Sequence, residues 1–179
     1  MHPGCTGSPR SPSLCVWMGK MALFLGEFEH QIDDKNRLSI PARFREQCLK
    51  EPDATLAVIA GFDPCLYIVP ARSMEELRAL LSLQRTEWNE LARAFRLKLS
   101  SYGNTATPDA QGRVCLTDKQ KQYAGLERKV MVVGNLDRIE VWDPERYQQH
   151  LGKPDAMNME MGDLASMFLR GTFPDTRER

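Results

Sequence analysis

Sliding the apolar and polar positions of the chain along themselves brings out a degenerate internal repeat. The segment IDDKNRLSIPARFR, Ile32 to Arg45, matches PDAQGRVCLTDKQK, Pro108 to Lys121. Asp33 falls on Asp109 and Arg37 on Arg113, each pair 76 positions apart, and Leu38/Val114 and Ile40/Leu116 keep their apolar character. Further on, LAVIAGFDPCLYIVP from Leu56 matches KVMVVGNLDRIEVWD from Lys129, with Gly61 on Gly134 at a spacing of 73. The second copy is therefore three residues shorter in between. Each copy predicts a strand, a D-x-x-x-R turn, a short β-stretch, a short helix, and two β-rich runs. The turns between those runs are expected at Gly61 to Pro64 and at Gly134 to Asp137.

Local signals place the helices. Pro41 suits the first helical position in the first copy, where its missing N–H costs nothing. Thr117 and Gln120 form a T-x-x-Q capping box in the second, and Gly125 can end that helix in the left-handed conformation. A further helix follows each pair of β-runs, capped by Ser73 with Glu76 three residues on, or by Asp143 followed by Pro144. Between the copies, Ser73 to Leu99 contains no Gly or Pro and sets Leu77, Leu80, Leu81, Trp88, Leu91, Phe95 and Leu99 at helical spacing. That stripe reads as core or subunit interface. The division that results is an irregular extension over 1–20, a first repeat over 21–72, a helical spacer over 73–99, a second repeat over 100–151 and a tail over 152–179. The extension combines Pro3, Gly4, Gly7, Pro9 and Pro12 with serines, and Met21 is a candidate for the native start. The fold class is α+β, with helices packed on a duplicated β-unit.

Composition narrows the function classes. The 179 residues allow one compact domain or two small fused ones, and 42% hydrophobic with 27% charged residues is ordinary for a soluble globular protein. Lys plus Arg equals Asp plus Glu at 24 each, so contact with a polyanion must come from a local patch. Five scattered cysteines, Cys5, Cys15, Cys48, Cys65 and Cys115, form no zinc-type cluster and fit a reducing cytoplasm. No stretch approaches the roughly 18 apolar residues of a membrane span, and no membrane partner is expected. The sequence has no G-x-S-x-G, no G-x-x-x-x-G-K-[ST], no H-E-x-x-H and no G-x-G-x-x-G, so no enzyme, metal or cofactor is expected. His30 beside Asp33 and Asp34 is the one constellation that suggests metal or acid/base work, and one histidine with two acids is a weak one.

The repeated turn carries the chemistry. Asp33 and Asp109 can accept hydrogen bonds from N–H groups two or three residues on, and Asn36 and Gly112 are the residue types that most readily enter positive φ. Arg37 and Arg113 leave these turns at fixed places, each with an aspartate close enough to orient it. For a single motif, an Asp–Arg pair that merely staples the turn is the favoured reading. A duplicated arginine on two equivalent turns can face outward as a matched pair, and arginine is the side chain best suited to phosphates and guanine edges. Lys35, Arg43 and Arg45 in one copy and Lys119 and Lys121 in the other add local positive charge, which a solvated charged face would explain as well as anion recognition does.

The block GEFEHQIDDKNRLSIPARFRE from Gly26, DAQGR from Asp109 and AGLERKVMVVGNLDRIEVWD from Ala124 together resemble the MraZ family of bacterial transcriptional regulators. The likeness runs from Met21 to Leu151, with both D-x-x-x-R motifs in order; Asn36 stands where glycine is more usual. The resemblance implies an AbrB-like swapped-hairpin β-fold duplicated within one chain. It further implies a nucleoid-associated cytoplasmic protein that binds double-stranded promoter DNA at short direct repeats of the division and cell-wall gene cluster, as a ring-shaped homo-oligomer. Arg37 and Arg113 would then contact DNA while Asp33 and Asp109 fix the turns. Lys35 in the first motif has no basic counterpart in the second, where Gln111 stands, so the two copies need not contribute equally. Two other readings stay open: a structural ring with only non-specific DNA binding, and a small hydrolase or metal enzyme with a polar pocket.

The spacer stripe predicts self-association, since it is richer in apolar residues than so small a chain needs. Sedimentation at micromolar concentration should show species larger than a monomer. Charged replacements of Leu91 and Phe95 should shift the assembly to smaller species or unfold it, and a wild-type protein that sediments only as monomer contradicts the expectation.

Overall fold

A computed structural model describes residues 23–49, 54–71, 74 and 90–151. The expected extension and tail, the Ser73 cap, most of the spacer and the side chain of Leu91 lie outside the described residues. In chain order the first repeat gives β1 (Phe24–Gln31), β2 (Arg37–Ser39), α1 (Ala42–Cys48), β3 (Leu56–Ala60) and β4 (Leu66–Pro70). After α2 (Glu90–Tyr102) come β5 (Asn104–Ala106), β6 (Arg113–Cys115), α3 (Asp118–Ala124), β7 (Lys129–Leu136), β8 (Arg138–Trp142) and α4 (Pro144–Leu151).

The strands form a six-stranded antiparallel sheet of order β1-β7-β8-β4-β3-β5 and a separate ribbon of β2 with β6. Exchanging the repeats maps this order onto itself. The pairing of β1 with β7 has its counterpart in β5 with β3, and β7 with β8 has its counterpart in β3 with β4. The pseudo-twofold axis crosses the sheet where Tyr67 faces Glu140 and crosses the ribbon where Leu38 faces Val114. The outer strands of each repeat thus pair with the other repeat, as a duplicated swapped-hairpin α+β fold requires.

Alternation along the strands divides the core into two layers. On one face Leu56, Val58, Leu66, Ile68, Val130, Val132, Ile139 and Val141 meet the ribbon's Leu38 and Val114 and the helix residues Phe44 and Ala124. On the other, Ile59, Tyr67, Met131 and Trp142 meet Leu99 of α2 and Tyr147 and Leu151 of α4. The expected stripe on α2 divides accordingly: Leu99 packs against this second layer, whereas Phe95 is 43% exposed and stacks on Phe62, which is 75% exposed.

Helix ends follow the local signals, with one shift. Thr117 and Gln120 form the reciprocal capping box of α3, and Gly125 closes it at φ 65°. The Asp143 carboxylate accepts from the N–H groups of Glu145 and Arg146 at the start of α4. Pro41 stands one position earlier than expected, in extended geometry at ψ 137° just ahead of α1, so the helix starts at Ala42.

The expected turn at Gly134 to Asp137 is tighter and later. Strand β7 continues to Leu136, which takes φ 55°, and Asp137 alone separates it from β8. Gly134 sits inside the strand opposite Gly26, because a Cβ there would lie 2.6 Å from the backbone of Phe24 and Leu25. The glycine permits the close approach of β1 and makes no turn. Gly134→Ala should therefore destabilise the fold by roughly 1 to 3 kcal/mol through overpacking, seen as a lower urea midpoint at unchanged m-value. An unchanged midpoint would mean that β1 moves aside freely.

Candidate nucleic-acid interface

The two D-x-x-x-R segments fold into the same turn, bond for bond. One oxygen of Asp33, Oδ1, accepts from the N–H groups of Lys35 and Arg37 at 2.9 Å each, while Asn36 N–H donates to the Asp33 carbonyl at 2.9 Å. In the second copy Asp109 Oδ1 accepts from Gln111 and Arg113, and Gly112 N–H donates to the Asp109 carbonyl. The side-chain acceptor therefore serves donors two and four residues on, whereas two and three were expected; the third N–H is taken by the main-chain turn. Asn36 at φ 58° and Gly112 at φ 71° occupy the left-handed region as anticipated.

The second carboxylate oxygen aims the arginine. Arg37 Nε and Nη2 both donate to Asp33 Oδ2 at 2.7 Å, and Arg113 Nε and Nη2 meet Asp109 Oδ2 at the same distance. These bonds hold both carboxyl groups down at about 2, chiefly through the arginine side chain and then through the backbone donors. Asp33 in turn keeps Arg37 above its ordinary value.

Because Leu38 and Val114 are fully buried, alternation sends Arg37, Ser39, Arg113 and Cys115 to the outer face of the ribbon. Arg37 lies opposite Cys115 and Arg113 opposite Ser39, so the two guanidiniums are diagonal partners across the pseudo-twofold axis. They are close enough for Arg113 Nη1 to stand 3.9 Å from Asp33 Oδ2. Each uses Nε and Nη2 for its aspartate, which leaves Nη1 as the nitrogen not bound to it, and on Arg113 that Nη1 faces Asp33 Oδ2 across the axis. Side-chain exposures of 32% and 26% leave both within reach of a ligand. The quartet is formally neutral, so what it offers is two preset donor ends, with no excess of charge.

The remaining candidates divide. Lys35 and Arg43 are exposed, with no ion-pair partner among the described residues. Arg45 and Lys121, equivalent in the repeat, reach across to the opposite turn: Arg45 Nη1 donates to the Gln111 carbonyl at 2.8 Å and Lys121 Nζ to Asn36 Oδ1 at 2.8 Å. Lys119 is drawn off toward α2, donating to the Ser101 carbonyl at 3.0 Å with its ammonium 4.6 Å from the Tyr102 ring centre. Sequence reasoning missed Asp118, which accepts from Asn36 Nδ2 at 2.7 Å. It also missed Ser39 and Cys115, although their two-residue spacing from the arginines marks the same strand face.

His30 is half-buried, and burial together with the positive charge of Arg45 lowers its pKa. No group of three or more His, Cys, Asp and Glu residues placed to hold a metal occurs among the described residues. Cys48 and Cys65 are buried and their thiols are pushed up by burial; Cys115 is exposed.

The model of the family described as "MraZ protein, putative antitoxin-like" matches residues 23–87 and 102–170, one segment for each copy of the turn. The chain belongs to the MraZ family. Among its relatives, a protein of Saccharopolyspora erythraea is 35% identical over 129 residues, which are 72% of this chain and 87% of the relative. One of Moorella thermoacetica is 38% identical over 129 residues, 72% and 86% of the two chains. One of Thermomicrobium roseum is 40% identical over 125 residues, 70% and 84%. All three bear the name "Transcriptional regulator MraZ". Both MraZ segments contain a complete D-x-x-x-R turn, so the family match and the pseudo-twofold geometry divide the chain in the same way.

The depressed aspartates give a signed acid prediction. Their native values of about 2 lie below the ordinary 3.8 of an unfolded aspartate, so the stabilisation they bring is complete above about pH 4 and disappears as pH falls through 2. In thermal melts from pH 6 to 2, the gap between wild type and an Asp33→Asn, Asp109→Asn variant should stay constant down to about pH 4 and close below it. A gap that is constant over the whole range would mean the carboxylates gain nothing from the turns.

Proposed function

We propose that the chain is a DNA-binding transcriptional regulator and that the outer face of the β2–β6 ribbon reads the DNA. The observation that carries this reading is the pair of aspartate-oriented arginines leaving one ribbon face about a pseudo-twofold axis. A two-stranded ribbon fits the B-DNA major groove, where arginine pairs with guanine O6 and N7, and neighbouring phosphates suit Lys35 and Arg43. The relatives' printed name supports regulation of transcription over an enzymatic role. We further assign Arg37 and Arg113 to the bases, with Asp33, Asn36, Asp109 and Gly112 shaping the turns. The target is taken to be short direct repeats in the promoter of the division and cell-wall gene cluster that contains its own gene, bound by a ring-shaped homo-oligomer in the cytoplasmic nucleoid. Exposed Phe62, Phe95 and Leu97 support contact between copies. A ring also accommodates zero net charge, because several small patches on spaced repeats add through effective concentration.

Footprinting upstream of the protein's own gene tests the target, and scrambled DNA separates specific reading from a structural ring that binds any sequence. Arg37→Ala and Arg113→Ala should each weaken repeat binding by roughly ten- to a hundredfold with the fold intact, as for loss of a base-contacting arginine. Asp33→Ala should lower thermal stability more than Arg37→Ala does, since it strands the turn's donors. Affinity should fall with salt at a log–log slope of about −0.9 per phosphate engaged. Arginine variants that melt yet bind normally per folded molecule would make Arg37 and Arg113 structural staples.

A further inference from the structure

We infer that Arg45 and Lys121 are positioning residues, each fixing the recognition turn of the opposite repeat, so that neither repeat aims its arginine without the other repeat's helix. This rests on the ribbon being the DNA-reading face. Arg45 is on α1 of the first repeat, yet its guanidinium closes over the turn of the second. Nη1 bonds the Gln111 carbonyl, and the side chain fills the space that a Cβ on Gly112 would need. Lys121 is on α3 of the second repeat, yet its ammonium bonds Asn36 in the turn of the first, and Asp118 holds the amide's other end. Main-chain bonds cross the same way, Ile40 N–H to the Gly112 carbonyl at 3.0 Å and Leu116 N–H to the Asn36 carbonyl at 2.8 Å.

The two staples solve one problem with different parts. A bulky guanidinium lies on the left-handed residue only if that residue is glycine. A slimmer ammonium leaves room for a side chain, and asparagine supplies the acceptor it needs. The asparagine in the first motif is thus matched to Lys121, and the glycine in the second to Arg45. Lys121 holds Asn36 itself, and Arg45 holds the peptide that joins Gln111 to Gly112, so both act on the positive-φ residue before the arginine, where a small change in φ redirects the guanidinium. Donors spent on carbonyl and amide oxygens within the chain are not aimed at phosphates.

Lys121→Met and Arg45→Met separate positioning from phosphate contact. With full-length protein and repeat DNA across a salt series, each should bind about tenfold more weakly, the scale of one hydrogen bond from a charged donor, at an unchanged log–log slope. A slope shallower by about 0.9 would identify a direct phosphate contact and overturn the proposal. In an Asn36→Gly background the Lys121→Met loss should vanish, because its target is gone; an additive loss would also overturn it. A readout without DNA is the exchange rate of the arginine Nε–H protons by NMR. Lys121→Met should speed exchange at Arg37 and Arg45→Met at Arg113, each in the other repeat, and unchanged rates contradict the coupling. If wild-type protein binds no repeat DNA, the DNA reading alone fails, and the exchange rates still decide whether the staples position the arginines.

Discussion

Neither repeat can complete its own β-structure. Among the described residues, strands β2 and β6, three residues each, pair as strands with one another, with a single further bridge from Leu38 to Ile32, and β1 and β5 close the sheet against the neighbouring repeat's strands. A three-residue strand has too few bonds and too little buried surface to persist alone. The contact of Leu38 with Val114, sealed from water on the inner side, is therefore what holds the ribbon on the sheet. This pair decides that the arginines stand on the outer face, and Asp33 and Asp109 then aim them.

The same exchange explains what was legible in the sequence and what was not. Local chemistry was readable residue by residue: the aspartate acceptors, the left-handed Asn36 and Gly112, the capping box at Thr117, the stop at Gly125. These depend on neighbours a few positions away. The duplication was readable because both copies kept the same grammar. The arginines were identified as a pair from repetition, and their common face follows once Leu38 and Val114 are known to face each other.

What escaped were consequences of approach between distant segments. Gly134 looks like a turn residue until β1 is laid against it. Lys119 and Lys121, two positions apart, look alike as basic residues, but the helix sends one to the Tyr102 ring and the other to Asn36. Asp118 reads only as an acidic residue opening a helix, and its bond to Asn36 spans 82 positions. Periodicity reports which face of an element is apolar; it does not report what stands across from the polar face.

Joining two copies in one chain has a consequence for symmetry. A homodimer of a single repeat would present identical halves, and its staple would have to be the same on both sides. Fusion removes that obligation, and this chain has used the freedom: lysine with asparagine on one side, arginine with glycine on the other, Ser39 facing out where its counterpart is Cys115, Lys35 where its counterpart is Gln111. The ribbon consequently has a head and a tail. A surface of that kind can lie along an asymmetric partner in only one preferred sense, so the molecule carries polarity as well as shape.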